Sequence, residues 1–330
     1  MSLEIKVLQN HQASALEELF RVVWGDQKNH AAHIQWALQT NPLGHAPIII
    51  AVDEEKIVAS RASMRWPIQD PNRSLAFYQF TGTCVHPDYR RIGLFTKTNQ
   101  FFLDWFENSS DEQRRIFTVS VDASRRGYEK LGWNYIPGFR RHIRVAGWRS
   151  FARKLRRAPR DLRGQQKLIF SSSESKLTPY GVLDKLNQIR EEQLNGLYHT
   201  SYRQEVFNWR FAMEQQAYRD MFLPGIGWCV YKLMRRGVFI EVEIGDVWLY
   251  RKSFWALKKL CAAIIARDKP DLFTVVLSSG HPYRTLFYQN GFLPDPRGDL
   301  NFGIYQQNDR VSDIADLKNW AVMTEVLDTF

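Results

Sequence analysis

An α/β fold in two related halves is what the sequence predicts, and three observations carry it. The run Phe77-Tyr-Gln-Phe-Thr-Gly-Thr-Cys-Val85 is rich in aromatic and β-branched residues, stops at His86-Pro87, and is followed by apolar residues at helical spacing, Phe95, Phe102, Leu103 and Phe106. Strand and helix alternate again later: residues 238–250 read as a strand and turn, and 254–266 as a helix. Finally, a buried strand at 116–122 leads to a short helix and Gly132-Trp133, and a strand at 272–277 leads to a short helix and Gly291-Phe292. Aligning Gly132 with Gly291 sets the copies 159 residues apart in a chain of 330, which suggests duplication.

Along the first half, Ile48-Ile-Ile-Ala-Val52 is a buried strand, and no apolar run approaches the roughly 20 residues of a membrane span. The stretch Val85-His-Pro-Asp-Tyr-Arg-Arg-Ile-Gly-Leu94 joins strand to helix. A helix start offers unpaired N–H groups and a positive dipole end, Gly93 lets the backbone approach a ligand, and Arg90 and Arg91 add charge there. Those are the ingredients of an anion site suited to phosphate. Hydrophobic residues at 44% and charged residues at 24% fit a folded soluble protein. The N-terminal residues show no basic-then-apolar leader, and cytoplasmic residence is expected. Cys84, Cys229 and Cys261 lack metal or disulfide spacing and read as reduced packing residues. His30 and His33 share a helix face without a third ligand, so no metal is expected.

The net charge of +10 is concentrated between Arg140 and Lys167, where eleven Lys and Arg face only Asp161. Trp148, Phe151 and Leu155 offer one apolar face there. The segment reads as a solvated linker helix, as a surface making weak contact with a membrane or with nucleic acid, or as a contributor to phosphate binding. The expected organisation is a first domain over 1–147, a basic linker over 148–178 and a second domain over 179–330.

The stretch from Val85 to Leu94, followed about 35 residues later by Tyr128-Glu-Lys-Leu-Gly-Trp133, resembles the acyl-CoA pyrophosphate loop and the tyrosine-bearing motif of the GNAT superfamily of N-acetyltransferases. The resemblance implies two tandem domains, each a mixed twisted sheet flanked by helices, with a splay between the fourth and fifth strands. Acyl-CoA would enter that splay, its pantetheine pairing with the fourth strand around Gly82 to Val85. The implied cofactor set is Cys84, Val85, Arg90, Arg91, Ile92, Gly93, Leu94, Phe95 and Thr96. Phe95 departs from the pattern, standing where the loop usually ends on a second Gly or Ala, and is expected to point into the core. The second half matches only in the later motif, with Phe287 in the place of Tyr128, and has no Arg-x-x-Gly loop. One working CoA site is therefore expected, in the first half, with a degenerate second domain helping to form the acceptor site.

Acyl transfer to an amine needs a neutral amine, a stabilised oxyanion and a proton for the departing thiolate. Fourth-strand N–H groups would polarise the thioester. Tyr128 falls where the superfamily's tyrosine protonates the CoA sulfur; the alternative is a helix-face aromatic. The fourth strand offers Gln79, Thr81, Thr83 and Cys84 and no carboxylate base. A lysine-like amine with a pKa near 10.4 would need one, whereas an amino-sugar amine acidified by ring oxygens would not. His86 is either a water-mediated base or the end of the strand.

Residues 33–42 and 202–211 resemble segments of bacterial tandem-GNAT proteins of surface-polysaccharide synthesis, of the dTDP-3-amino-3,6-dideoxygalactose N-acyltransferase kind. That resemblance implies a dTDP-linked amino-dideoxy sugar as acceptor, on the route to lipopolysaccharide O-antigen, and a 3-hydroxybutyryl or acetyl donor. Arg203, Trp209 and Arg210, with Tyr198 and Tyr202, would hold the nucleotide; the alternative has Trp209 in the core and Arg210 on the surface. Mycothiol-synthase-like or aminoacyl-tRNA-dependent tandem enzymes, and a non-catalytic acyl-CoA- or nucleic-acid-binding module, are the competing classes. A monomer that binds no nucleic acid is expected.

Overall fold

In a computed structural model, residues 3–25, 30–69, 76–108, 114–155, 166–168, 177–211, 217–305 and 313–327 are described. In chain order the strands used below are β1 (Leu3–Val7), β2 (Ile49–Asp53), β3 (Lys56–Trp66), β4 (Ala76–Val85), β5 (Arg114–Ser120), β6 (Trp133–Ile136), β7 (Phe139–Val145), β8 (Arg219–Leu223), β9 (Gly227–Arg236), β10 (Phe239–Leu249), β11 (Leu272–Ser278), β12 (Leu293–Asp299) and β13 (Asn301–Tyr305). The helices are α1 (Ala13–Trp24), α2 (Leu94–Glu107), α3 (Asp122–Glu129), α4 (Trp148–Leu155), α5 (Tyr180–Leu194), α6 (Gln204–Phe211), α7 (Phe254–Asp268) and α8 (Arg284–Gln289).

The chain divides into two units. Unit 1 comprises Met1–Ile68, Arg73–Ile136 and Asn301–Ala315, and its sheet runs β1-β2-β3-β4-β5-β13-β6. Unit 2 comprises Gln69–Asn72, Pro137–Leu300 and Asp316–Phe330, and its sheet runs β8-β9-β10-β11-β7-β12. From the second strand of unit 1 onward the two orders correspond position by position. Each sheet is mixed, with one parallel pair, β4–β5 or β10–β11, among antiparallel neighbours.

The division does not fall at residue 147. Strand β7 was expected in the first domain and lies in the second sheet, and β13, expected in the second, lies in the first. The two strands fill the same place, next to last in the sheet, so the halves have exchanged equivalent strands. Nor is the basic segment a single linker. Arg140, Arg141 and Arg144 sit in β7, where Arg140 Nε pairs with Asp299 Oδ1 at 2.9 Å. Helix α4 sets Phe151 on Phe239 with ring centroids 5.0 Å apart and Lys154 Nζ on Asp271 Oδ2 at 2.6 Å, leaving Trp148 71% exposed. Residues 156–165 and 169–176 of the expected linker lie outside the described residues.

The core of unit 1 explains its local structure. Helix α2 buries Phe102, Leu103 and Phe106 at helical spacing against Tyr78, Phe80 and Trp133 of the sheet, and Leu94 at its start against Ala51, Val58 and Ala59. In unit 2, α7 buries Leu257, Leu260, Cys261 and Ile264 against β9, β10 and β11 in the same way.

Candidate active site

Strand β4 supplies the first part of the site. Its parallel pairing with β5 runs from Ala76↔Arg114 to Gln79↔Phe117 and stops. Beyond Gln79, β4 continues beside β3 while β5 continues beside β13, so the two strands part. The register of β3 against β4 slips between Ser60↔Cys84 and Ala62↔Thr81, a bulge that sharpens the bend of β4 at this point. Gly82 carries it: its φ is +56°, and a Cβ there would stand 2.9 Å from Ala62 Cβ. Ser60 Oγ ties the bulge by donating to the Gly82 carbonyl at 2.7 Å. The edge of β4 from Phe80 to Val85 is thereby left without a β5 partner.

The loop after β4 supplies the second part. His86 is buried and its Nδ1 accepts from the Asp88 amide at 3.3 Å, so it ends the strand and caps the short turn Pro87–Tyr89. Arg91 and Gly93 both adopt left-handed backbone, with φ of +68° and +83°. Gly93 is the N-cap of α2 and offers no side chain to accept the helix's first amides. This helix start borders a depression of about 400 Å³ lined by Val85, Tyr89, Arg90, Arg91, Gly93, Leu94 and Phe95. Unpaired helix amides, left-handed backbone and two exposed arginines together make a cradle for an anion.

Helix α3 supplies the third. Tyr128 is 3% exposed, packed on Phe95, Trp133 and Phe80 with ring centroids 5.2, 5.0 and 6.4 Å away, and its hydroxyl accepts from Arg61 Nη2. Phe95 reaches across to α3 and lies against Gly127, where a Cβ would come within 2.5 Å of Phe95 Cε1. The bulky residue in the loop is thus accommodated by a glycine on the facing helix.

Of the expected loop residues, Val85, Arg90, Arg91, Gly93, Leu94 and Phe95 line the depression. Ile92 is 42% exposed beside it and Thr96 is exposed on the first turn of α2. Cys84 faces inward, its Sγ 3.5 Å from Ser60 Oγ, and burial pushes its thiol up to about 11, so it is an inert packing residue. Tyr89, Arg61 and Gly127 were missed. Tyr89 lies inside the Val85–Leu94 loop, and an arginine within an apolar strand is itself a signal for Arg61.

The expected nucleotide-binding set is corrected by the structure. Tyr198, Tyr202, Trp209 and Arg210 are interior residues of unit 2, at most 7% exposed. Tyr198 lies on Trp320 at 5.0 Å, and Tyr202 on Trp248 and Phe211 at 5.5 and 5.7 Å. Arg210, which the alternative put on the surface, donates to Tyr218 Oη at 2.5 Å and to the Glu325 carbonyl at 2.9 Å. Side chains consumed in this way are not available to a ligand. Arg203 alone of the five is exposed.

Unit 2 repeats the parted strands: β10–β11 pairing ends at Ile244↔Val275, just before a register slip that makes Gly245 the extra residue. Here the slot is filled by the chain. Met323 bridges Leu277, the Ser278 amide donates to the Val322 carbonyl at 3.0 Å, and the Val276 amide donates to Thr324 Oγ1 at 2.9 Å.

Comparison with known proteins adds the family context. Residues 4–136 match the family model of the acetyltransferase (GNAT) domain. The fold is that of the GNAT N-acyltransferases. A GCN5-related N-acetyltransferase from Kribbella flavida is similar with a TM-score of 0.58 at 12% identity, over 92% of this chain and 71% of that one. A probable N-acyltransferase from Enterococcus faecalis is similar with a TM-score of 0.63 at 9% identity, over 92% and 72%. N-myristoyltransferase from Saccharomyces cerevisiae, solved with bound myristoyl-CoA, gives 0.58 at 14% identity over 97% and 84%. At such identities the likeness speaks for the GNAT fold alone. No curated protein matches the chain. Among the described residues no group of three or more His, Cys, Asp or Glu is placed to hold a metal, and no helix is long and apolar enough to cross a membrane.

Proposed function

We propose that the chain is an acyl-CoA-dependent N-acyltransferase with its working site in unit 1. The observation that carries this reading is the parting of β4 from β5 beyond Gln79, which leaves the β4 edge from Phe80, packed against Tyr128, to Val85, which lines the loop depression, without a β5 partner. The pyrophosphate of CoA lies in the cradle of Arg90, Arg91 and the amides around Gly93, and pantetheine extends along β4. The acceptor amine attacks the thioester directly, and Tyr128 protonates the leaving sulfur. Unit 2 offers no second CoA site in this reading, because its slot holds residues of the chain.

The acceptor is an amine that arrives neutral. Strand β4 carries no carboxylate, Cys84 is inert, and His86 is spent on the turn. An amino sugar meets that requirement, and the sequence resemblance of residues 33–42 and 202–211 favours a dTDP-linked amino-dideoxy sugar of surface-polysaccharide synthesis. Thermal unfolding with saturating CoA, with and without dTDP, tests both levels. Ligands that bind only the folded state raise the transition by mass action. A CoA shift that dTDP enlarges is the expected result. A CoA shift indifferent to dTDP overturns the nucleotide carrier, and no CoA shift overturns the enzyme.

A further inference from the structure

Arg61 stands in the middle of β3 with 0% exposure, beside the parted edge of β4. Among the described residues, every partner it has is neutral. Nη1 donates to the Thr81 carbonyl at 3.4 Å, Nη2 donates to the Tyr128 hydroxyl, and the guanidinium lies 4.2 Å from the Phe80 ring centroid and 5.4 Å from that of Tyr128. Nε is buried and has no hydrogen-bond partner among the described residues. Among the described residues, the ionisable groups acting on it are Tyr128, Cys84 and Tyr135, none of them a carboxylate. Unit 2 shows the contrast: its wholly buried Arg190 is met by Asp246 at 3.0 Å. A cation taken out of water without an anion is costly unless something supplies one.

We propose that Arg61 is a positioning residue for Tyr128 and provides the positive charge that the departing thiolate of CoA requires, its missing anion being formed in the reaction. The inference rests on the reading of Tyr128 as general acid. By donating to a lone pair of the phenol oxygen, Nη2 leaves the Tyr128 O–H free to point at sulfur. The amine nitrogen bonds to the thioester carbon, and the C–S bond breaks with its electron pair kept by sulfur. The Tyr128 proton moves to that sulfur, and the phenolate it leaves lies against the guanidinium. The proton shed by the acylated nitrogen restores the phenol through solvent. One amine proton has then been transferred to the CoA thiol, and no further reactant is needed. Burial lowers the pKa of Arg61 from its usual value, the mark of a poorly solvated guanidinium, and a guanidinium in so dry a setting acts strongly on a nearby oxygen or sulfur.

Free CoA is a sufficient probe. Calorimetric titrations at about pH 8, near the ordinary thiol pKa of about 8.5, in two buffers of different ionisation enthalpy count the protons released on binding. The wild-type chain is expected to release part of a proton with CoA and none with desulfo-CoA, which lacks the thiol. Arg61→Met should bind CoA through the phosphate loop yet lose the release, and Arg61→Lys should recover part of it. Tyr128→Phe should also lose it, and Arg61→Met should remove nothing more in that background. Release that persists in Arg61→Met overturns the inference and leaves the role of Tyr128 standing. Release that persists in Tyr128→Phe removes Tyr128 from the sulfur and with it the route through which Arg61 acts. A wild-type chain that binds CoA without release overturns both. Should Arg61→Met fail to fold, the comparison of Arg61→Lys with Arg61→Gln, each checked by thermal unfolding, decides: equal release in the two sinks the proposal.

Discussion

Phe95 and Gly127 form a pair that neither position reveals alone. A phenylalanine in the phosphate loop is tolerated because the facing helix has no side chain at the contact, and the ring then packs edge-on against Tyr128. The loop itself was legible in the sequence because its parts are neighbours in the chain: the strand-ending proline, the arginines and the glycine lie within ten residues. Arg61 was not legible, because the hydroxyl that gives it meaning is 67 residues away and meets it only in the folded sheet. Gly93 offers a direct test at this scale. Its φ of +83° strains any other residue by about 1–2 kcal/mol, and the space before it is open, so a side chain there would project into the anion cradle. Gly93→Leu is expected to fold with slightly reduced stability and to lose CoA affinity by tenfold or more. Calorimetry showing unchanged affinity would remove the loop from the binding site.

At the scale of elements, the slot between β10 and β11 shows why aromatic-rich segments misled the sequence reading. Tyr198, Tyr202 and Trp209 have the composition of a base-binding surface, but rings that stack on a ligand and rings that stack on Trp248 and Trp320 look alike in one dimension. What decides between them is the segment that closes the slot, and it comes from the far end of the chain. Its Glu325 is wholly buried and accepts from Thr200 Oγ1 at 3.2 Å. Burial, reinforced by Asp246 and opposed by Arg190, raises its carboxyl from 4.5 to about 8. The folded chain therefore holds a proton that the unfolded chain releases. The resulting stabilisation is fully present below about pH 4.5 and is lost as the pH rises through about 8. Glu325→Gln should flatten the stability profile across that window and leave the variant more stable than wild type at the alkaline end. Urea unfolding at a series of pH values measures this, and an unchanged slope would show that Glu325 does not carry the proton.

Over the whole molecule, the repeat of one architecture was readable from the repeated strand–helix–glycine pattern, and Gly132 and Gly291 share left-handed backbone with φ of +83° and +82°. The exchange of β7 and β13 was not readable, since each strand has the same pattern and the same place in order whichever sheet it joins. Residues 1–147 made alone are expected to show no cooperative thermal transition, because β5 and β6 do not pair with each other and both require β13 between them. A sharp transition in that fragment would contradict the arrangement. The same feature governs the order of events during synthesis. The first sheet has all its other strands once Ile136 has been made, but must wait for Asn301–Tyr305, made well over a hundred residues later. At about 5–20 residues per second that delay is on the order of 10–30 seconds. Through it the nascent chain carries an open β5 edge of the kind that recruits unwanted strands, so the ribosome-bound protein is at its most vulnerable after most of its first unit has already emerged.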